Sequence, residues 1–323
     1  TKGIEINYIE DLEKINESAQ TLAGKYELVK DLDFKNRDSY KTEERYNYYN
    51  ADANNDGNPD NSWTPIGTTS AKFTGNFDGQ NHTISNLYIN TTKNYIGLFG
   101  YVYSDYSTFK NIKLSNVNIN STNFGVGALV GQLEGGTIYN VHLDTANIKS
   151  SSSDVGGIAG QMNWGTASKL EVTNASITGS KEVGGIVGYA SAESTLTIEQ
   201  AVFNGNVYGS YSGGIMGHPN YTKVNISNSY TAGYSQAAGI SAYKANSIVN
   251  SYTTMKVGTY AISSYVDSKV ENTFWNSSTA GVSSSRYGTP KSTAELQQAA
   301  TFSGWNTSIW NIEDGKYPTL KWE

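Results

Sequence analysis

Five short segments, each closing on a glycine, recur along this chain at nearly constant spacing, and they limit its fold more than any other feature. They are YIGLFG (95–100), VGALVG (126–131), VGGIAG (155–160), VGGIVG (183–188) and SGGIMG (212–217). Their last glycines, Gly100, Gly131, Gly160, Gly188 and Gly217, stand 31, 29, 28 and 29 residues apart. Two degenerate copies, AAGISA (237–242) and TYAISS (259–264), follow at shorter intervals. Between these segments run alternating stretches such as FKNIKLSNVNI (109–119) and IYNVHLDTANI (138–148). Ile112, Leu114, Val117 and Ile119 recur in phase as Val141, Leu143, Ala146 and Ile148, with a break in the alternation where a corner would bend the strand.

A unit this short, with two or three strands and no helix, cannot bury its own apolar face. Stacked in register, each coil covers the next. The expected fold class is therefore all-β, a parallel β-helix or solenoid of about eight coils between Ile66 and Gly281. The glycines Gly97, Gly100, Gly127, Gly131, Gly157, Gly160, Gly185, Gly188, Gly214 and Gly217 are read as structural, serving close backbone approach or a positive φ at a bend. A phosphate-cradling loop would open a helix and carry a nearby lysine. These segments enter strands and lack that lysine. Asn111, Asn140, Asn174, Asn204, Asn228 and Asn250 lie near strand ends and are read as an interior ladder at the corners, with an exposed binding row as the alternative.

An open-ended solenoid exposes ladder edges, so caps are expected. Residues 1–65 are assigned to an N-terminal cap, whose helix over 9–22 places Ile9, Leu12, Ile15, Ala19 and Leu22 on one face. Residues 66–281 form the coils. Residues 282–323 form a C-terminal cap, with Ser292 and Glu295 spaced as a capping box.

Composition excludes several function classes. The absence of cysteine removes disulfides, thiolate metal sites and a cysteine nucleophile. No apolar run is long enough to span a bilayer, so direct membrane insertion is not expected. A net charge of −6 with scattered Lys and Arg offers no field for nucleic acid. The chain begins at Thr1 with no signal-like stretch and reads as a mature or excised fragment.

The most specific chemical motif is DANNDGNPD (52–60). Asp52, Asn54, Asp56, Asn58 (through its carbonyl) and Asp60 follow the order in which oxygen ligands converge on calcium, with Gly57 at the sharp turn. A structural calcium ion is expected there, although position 12 is Trp63 rather than a bidentate glutamate. An ordinary Asn/Asp/Gly turn is the alternative. A polysaccharide lyase or hydrolase would need convergent acids on adjacent coils. Asp105, Asp144, Asp154 and Asp267 fall at different phases, and so do His82, His142 and His218, so no catalytic residues are assigned. Tyr208, Tyr211, Tyr221, Tyr230 and Tyr234 crowd the later coils, either as ligand-binding rings or as a stacked ladder that needs no ligand.

The tetrads GLFG, ALVG, GIAG, GIVG and GIMG, with the NIKLSNVNI-like strands after them, resemble the bacterial GLUG repeats. The likeness extends to FTGNFDGQNHTISNLYI (73–89) and to GWNTSIWNIEDGKYPTLKW (304–322). The resemblance implies a bacterial surface or secreted repeat protein, adhesin-like or similar to the region preceding the peptidase domain of streptococcal immunoglobulin A1 proteases. It implies location and shape more than activity. The expected function is a non-catalytic surface module that recognises a host or surface glycan or protein. An accessory domain of a larger secreted protease and a polysaccharide-degrading enzyme are the alternatives.

Overall fold

The computed structural model describes residues 2–323, and the alternating stretches in it are strands of a parallel β-solenoid. Four consecutive strands, Thr108–Ser121, Thr137–Ser150, Gly165–Thr178 and Thr195–Tyr208, are 14 residues long and stack in one long sheet. The phase read from the sequence is the register of the fold: Ile112 pairs with Val141, Leu114 with Leu143, Val117 with Ala146 and Ile119 with Ile148. All eight are buried. Stacking like on like continues the apolar interior from coil to coil, where area removed from water is the main stabilising term.

The corners that fold each long strand around this interior are single left-handed residues. One row runs through Asn111, Asn140, Lys169, Gln200, Asn228, Asn250 and Asn272, with φ between 47° and 56°. A second holds Asn86, Asn116, Thr145 and Asn174. Asparagine tolerates this region better than other residues with a Cβ. Except for Asn204, the asparagine series sits at corners as expected, but its side chains are half-buried or exposed and not interior. Asn111 and Asn140 are half-buried and bonded to each other at 2.8 Å, and Asn174 is exposed in the second row. Asn204 belongs to neither row, because the strand over 195–208 is one residue short at the second corner, where its register shifts.

A five-stranded sheet, Phe99–Tyr103, Val130–Glu134, Ala159–Met162, Val187–Ala190 and Met216–Pro219, forms a second face behind the glycine segments. The solenoid therefore has about five full turns rather than eight. The degenerate copies, shorter and without the last glycine, contribute only isolated bridges at Ala238, Ser241 and Tyr260. The ten structural glycines all have φ outside the left-handed region, so close approach is their role. A Cβ on Gly157 would lie 2.1 Å from the Gly185 carbonyl oxygen, and one on Gly185 would lie 2.1 Å from that of Gly214.

The ends depart from the expected caps. Ile4–Ile6 and Lys25–Leu28 are already parallel rungs beneath Asn76–Asp78, so stacking begins inside the first 65 residues. The predicted helix is split into Ile9–Lys14, a 3-10 turn and Ala19–Leu22, because Ser18 caps the second piece through the Thr21 N–H. The phase resets at that cap: Ile9, Leu12, Ile15 and Leu22 are buried and Ala19 is exposed. Ser292 and Glu295 form their reciprocal bonds, at 3.1 and 3.0 Å, but start only 3-10 turns. Beyond Ser292 the chain folds back over the outside of the long sheet, so it covers a flank. Among the described residues no helix is long and apolar enough to cross a membrane.

Close approach and positive φ predict different costs. Gly157→Ala is expected to destabilise the fold by about 3 kcal/mol in urea unfolding, as overpacking against an immobile backbone does. Gly304→Ala, at φ 93° with open space around it, should cost about 1 kcal/mol. Equal costs would refute the close-approach role.

Candidate functional site

Between the two rows of left-handed corners each coil presents a short flat segment with two outward residues. Register aligns the first of these as Lys113, His142, Glu171, Val202, Tyr230, Tyr252 and Phe274. The second column is Ser115, Asp144, Thr173, Asn204 and Ala232. Along the axis the first column changes from charged to apolar, and the chain after Ser292 lies over the apolar part. Leu296, Phe302, Trp305, Trp310 and Leu320 of that tail pack on Val202 and Tyr252 as a second core outside the solenoid.

Hydrogen bonds fix the tail along its length. The Trp305 indole donates to the Asn272 carbonyl at 3.1 Å, that of Trp310 to Asn228 Oδ1 at 3.1 Å and that of Trp322 to Asn140 Oδ1 at 3.0 Å. All three acceptors belong to the same left-handed row. Tyr252 donates to the Pro318 carbonyl at 2.6 Å, and Tyr230 to the Glu323 carboxylate at 2.7 and 2.8 Å.

The tail ends where the column turns polar, and there it completes a groove of about 920 Å³. The Trp322 ring stacks on His142 with centroids 4.7 Å apart. His142 Nδ1 lies 3.3 Å from Glu171 Oε1, and this contact draws Glu171 below the usual carboxylate range. Burial and the neighbouring Glu171 charge push Glu323 up. Asp144 accepts from Asn174 Nδ2 at 2.9 Å and from Thr173 Oγ1 at 3.1 Å, both on Oδ1. No periodicity links His142, Asp144 and Glu171 to Trp322 and Glu323, because the tail reaches Asn140 across 182 positions of sequence. A readable signal did exist: Val202, Tyr252 and Phe274 hold outward phases with apolar residues. The arrangement is built to hold polar groups.

The residues singled out from the sequence lie elsewhere. In the 52–60 loop Asp52 accepts the N–H groups of Asp56 and Gly57 at 3.1 and 3.0 Å, Asp56 that of Asn58 at 2.8 Å and Asp60 that of Ala53 at 3.0 Å. Asn54 Oδ1 accepts from the Asp56 N–H at 3.2 Å. Among the described residues no three acidic or histidine side chains gather closely enough to hold a metal, so an ion in this loop would need amide and backbone oxygens beside its carboxylates. The tyrosines are dispersed. Tyr211 stacks on His218 at 5.7 Å, Tyr208 meets Tyr234 at 5.6 Å, and Tyr221 is exposed. Tyr230 stacks on Tyr252 at 5.0 Å under the tail and is not a free surface ring.

Another flank carries buried acids outside the groove. Glu134 accepts from the amides of Gln132 and Asn163, and Asp154 accepts from Gln161 Nε2 at 2.6 Å. Burial pushes Asp154 up from 3.8 to about 6, the Gln161 bond opposing and nearby Glu182 reinforcing. A folded-state value above the unfolded one contributes stability at low pH that is lost as pH rises from about 4 through about 6. Asp154→Asn is therefore expected to raise stability at pH 8 by about 2 kcal/mol and to change it little at pH 4, read by urea unfolding at both values. A gain of the same size at pH 4 would refute the assignment.

No family model matches the chain, and no curated protein matches it. Among solved structures, a protein from Bacteroides ovatus provisionally named an immunoglobulin A1 protease has a similar fold. The TM-score is 0.65 at 18% identity, over 100% of this chain and 93% of that one.

Proposed function

We propose that this chain is a non-catalytic secreted or cell-surface binding module, adhesin-like, built on GLUG-type coils and holding a host or surface glycan or protein. The observation that carries the reading is the groove at Trp322, His142, Asp144 and Glu171. It is an open, polar site with an aromatic wall, set on stacked strands that hold its side chains in fixed register. In this reading the 52–60 loop takes a structural calcium ion through the oxygens of Asp52, Asn54, Asp56, Asn58 and Asp60.

A second reading makes the chain the accessory β-helical part of a larger secreted protease. The likeness to the B. ovatus protein favours it. It differs in its ligand, which would be the protease substrate.

A glycan array, surface plasmon resonance against immunoglobulin A1 and a reducing-sugar assay on pectin and uronate polymers separate these readings. Specific glycan or surface-protein binding without turnover is expected. Binding confined to immunoglobulin A1 would favour the accessory role, and turnover of a polysaccharide would overturn both. For the loop, Ca²⁺ titrated into EGTA-treated protein is expected to give a heat of binding and a higher Tm. If neither appears, the loop is a hydrogen-bonded turn without an ion.

A further inference from the structure

We infer that the groove at Trp322 takes a neutral, hydroxyl-rich saccharide and rejects uronate, sulfated and sialylated chains. This deepens the binding-module reading and rests on it. The lining carries the carboxyl groups of Asp144, Glu171 and Glu323 against the single ammonium of Lys113, with His142 beside Glu171. An anionic sugar entering there would meet like charge at short range, which opposes association.

Neutral sugars find complementary groups in the same place. The hydrogen bonds that Asp144 accepts among the described residues all fall on Oδ1, which leaves Oδ2 as an acceptor for a ligand hydroxyl. Bonds from a hydroxyl to a carboxylate are among the strong ones. Asn174 holds Asp144 from the left-handed corner next to it. Trp322 is fixed twice, by the Asn140 bond and by its stack on His142, so its ring is a rigid wall against which the C–H face of a sugar can lie.

A peptide is a poorer fit. Protein recognition concentrates on buried aromatic and apolar anchors, and the apolar part of this face is already covered by the tail at Val202 and Tyr252. What remains open is polar, and its volume of about 920 Å³ falls within the range of small-ligand sites.

The test is calorimetry on the full chain with neutral oligosaccharides (cello-, malto-, xylo- and galacto-series) beside oligogalacturonate, a heparin fragment and a sialylated lactose. The same titrations are run on Trp322→Ala, Trp322→Phe and Asp144→Asn, each checked for an unchanged circular dichroism spectrum. At least one neutral series is expected to bind. Trp322→Ala and Asp144→Asn should weaken it by about ten- to a hundredfold, and Trp322→Phe, which keeps a ring, by less. Binding of the anionic sugars in preference would overturn the inference and leave the binding module standing. So would binding of a protein with no saccharide bound. Neutral binding that both Trp322→Ala and Asp144→Asn leave intact would place the sugar elsewhere and overturn the site. No binding by any glycan or protein would instead overturn the underlying reading.

Discussion

Everything in this molecule depends on how closely one turn of backbone can lie on the next. The Gly157 and Gly185 positions are approached by the carbonyls of the following coil to distances that leave no room for a Cβ. Because the backbones meet there, the alternating strands on the other faces fall into register, and Ile112, Val141 and Leu170 become one continuous column of core. Where the glycines lapse into AAGISA and TYAISS, the second face shrinks to isolated bridges while the long sheet continues. The tetrads thus set how many complete turns there are.

The second constraint is the left-handed corner. A strand that must turn without losing its inward phase needs one extra residue at positive φ, and asparagine supplies it at least steric cost. The corner also leaves an amide or carbonyl at the surface, one per coil. The tail uses three of these, at Asn140, Asn228 and Asn272, as acceptors for three indoles. The groove is consequently composite. Its floor, with His142, Asp144 and Glu171, comes from the repeat, and its wall, with Trp322 and Glu323, comes from a segment outside the repeat.

That division explains what the sequence disclosed. Phase, register and the steric role of the glycines are local or periodic properties, and they were legible residue by residue in Ile112 to Ile119. The helix Glu43–Asn50 was not, since EERYNYYN has no apolar period and is held by the Thr42 cap, by Arg45 on Glu13 and by Tyr49 against Phe34. Asn204 falls one position out of phase because a single-residue deletion at a corner leaves the flanking alternation intact. The meeting of Glu171 and Glu323 in one groove depends on where the tail comes to rest, which no periodicity within either segment encodes. The apolar outward residues Val202, Tyr252 and Phe274 told that something covers that face, but not what.

The tail also acts as a ruler. Its tryptophans are spaced along a segment of fixed length, and their partners are spaced by whole coils. Repeat proteins ordinarily tolerate gain or loss of a unit, since each unit contacts only its neighbours. Here a coil inserted or deleted between Asn140 and Asn228 would move one indole off its asparagine while another stayed seated, and would carry His142 away from Trp322. The repeat number of this stretch is thereby tied to a segment that is not itself repeated, which makes this array a closed count in a class of folds that is otherwise open-ended.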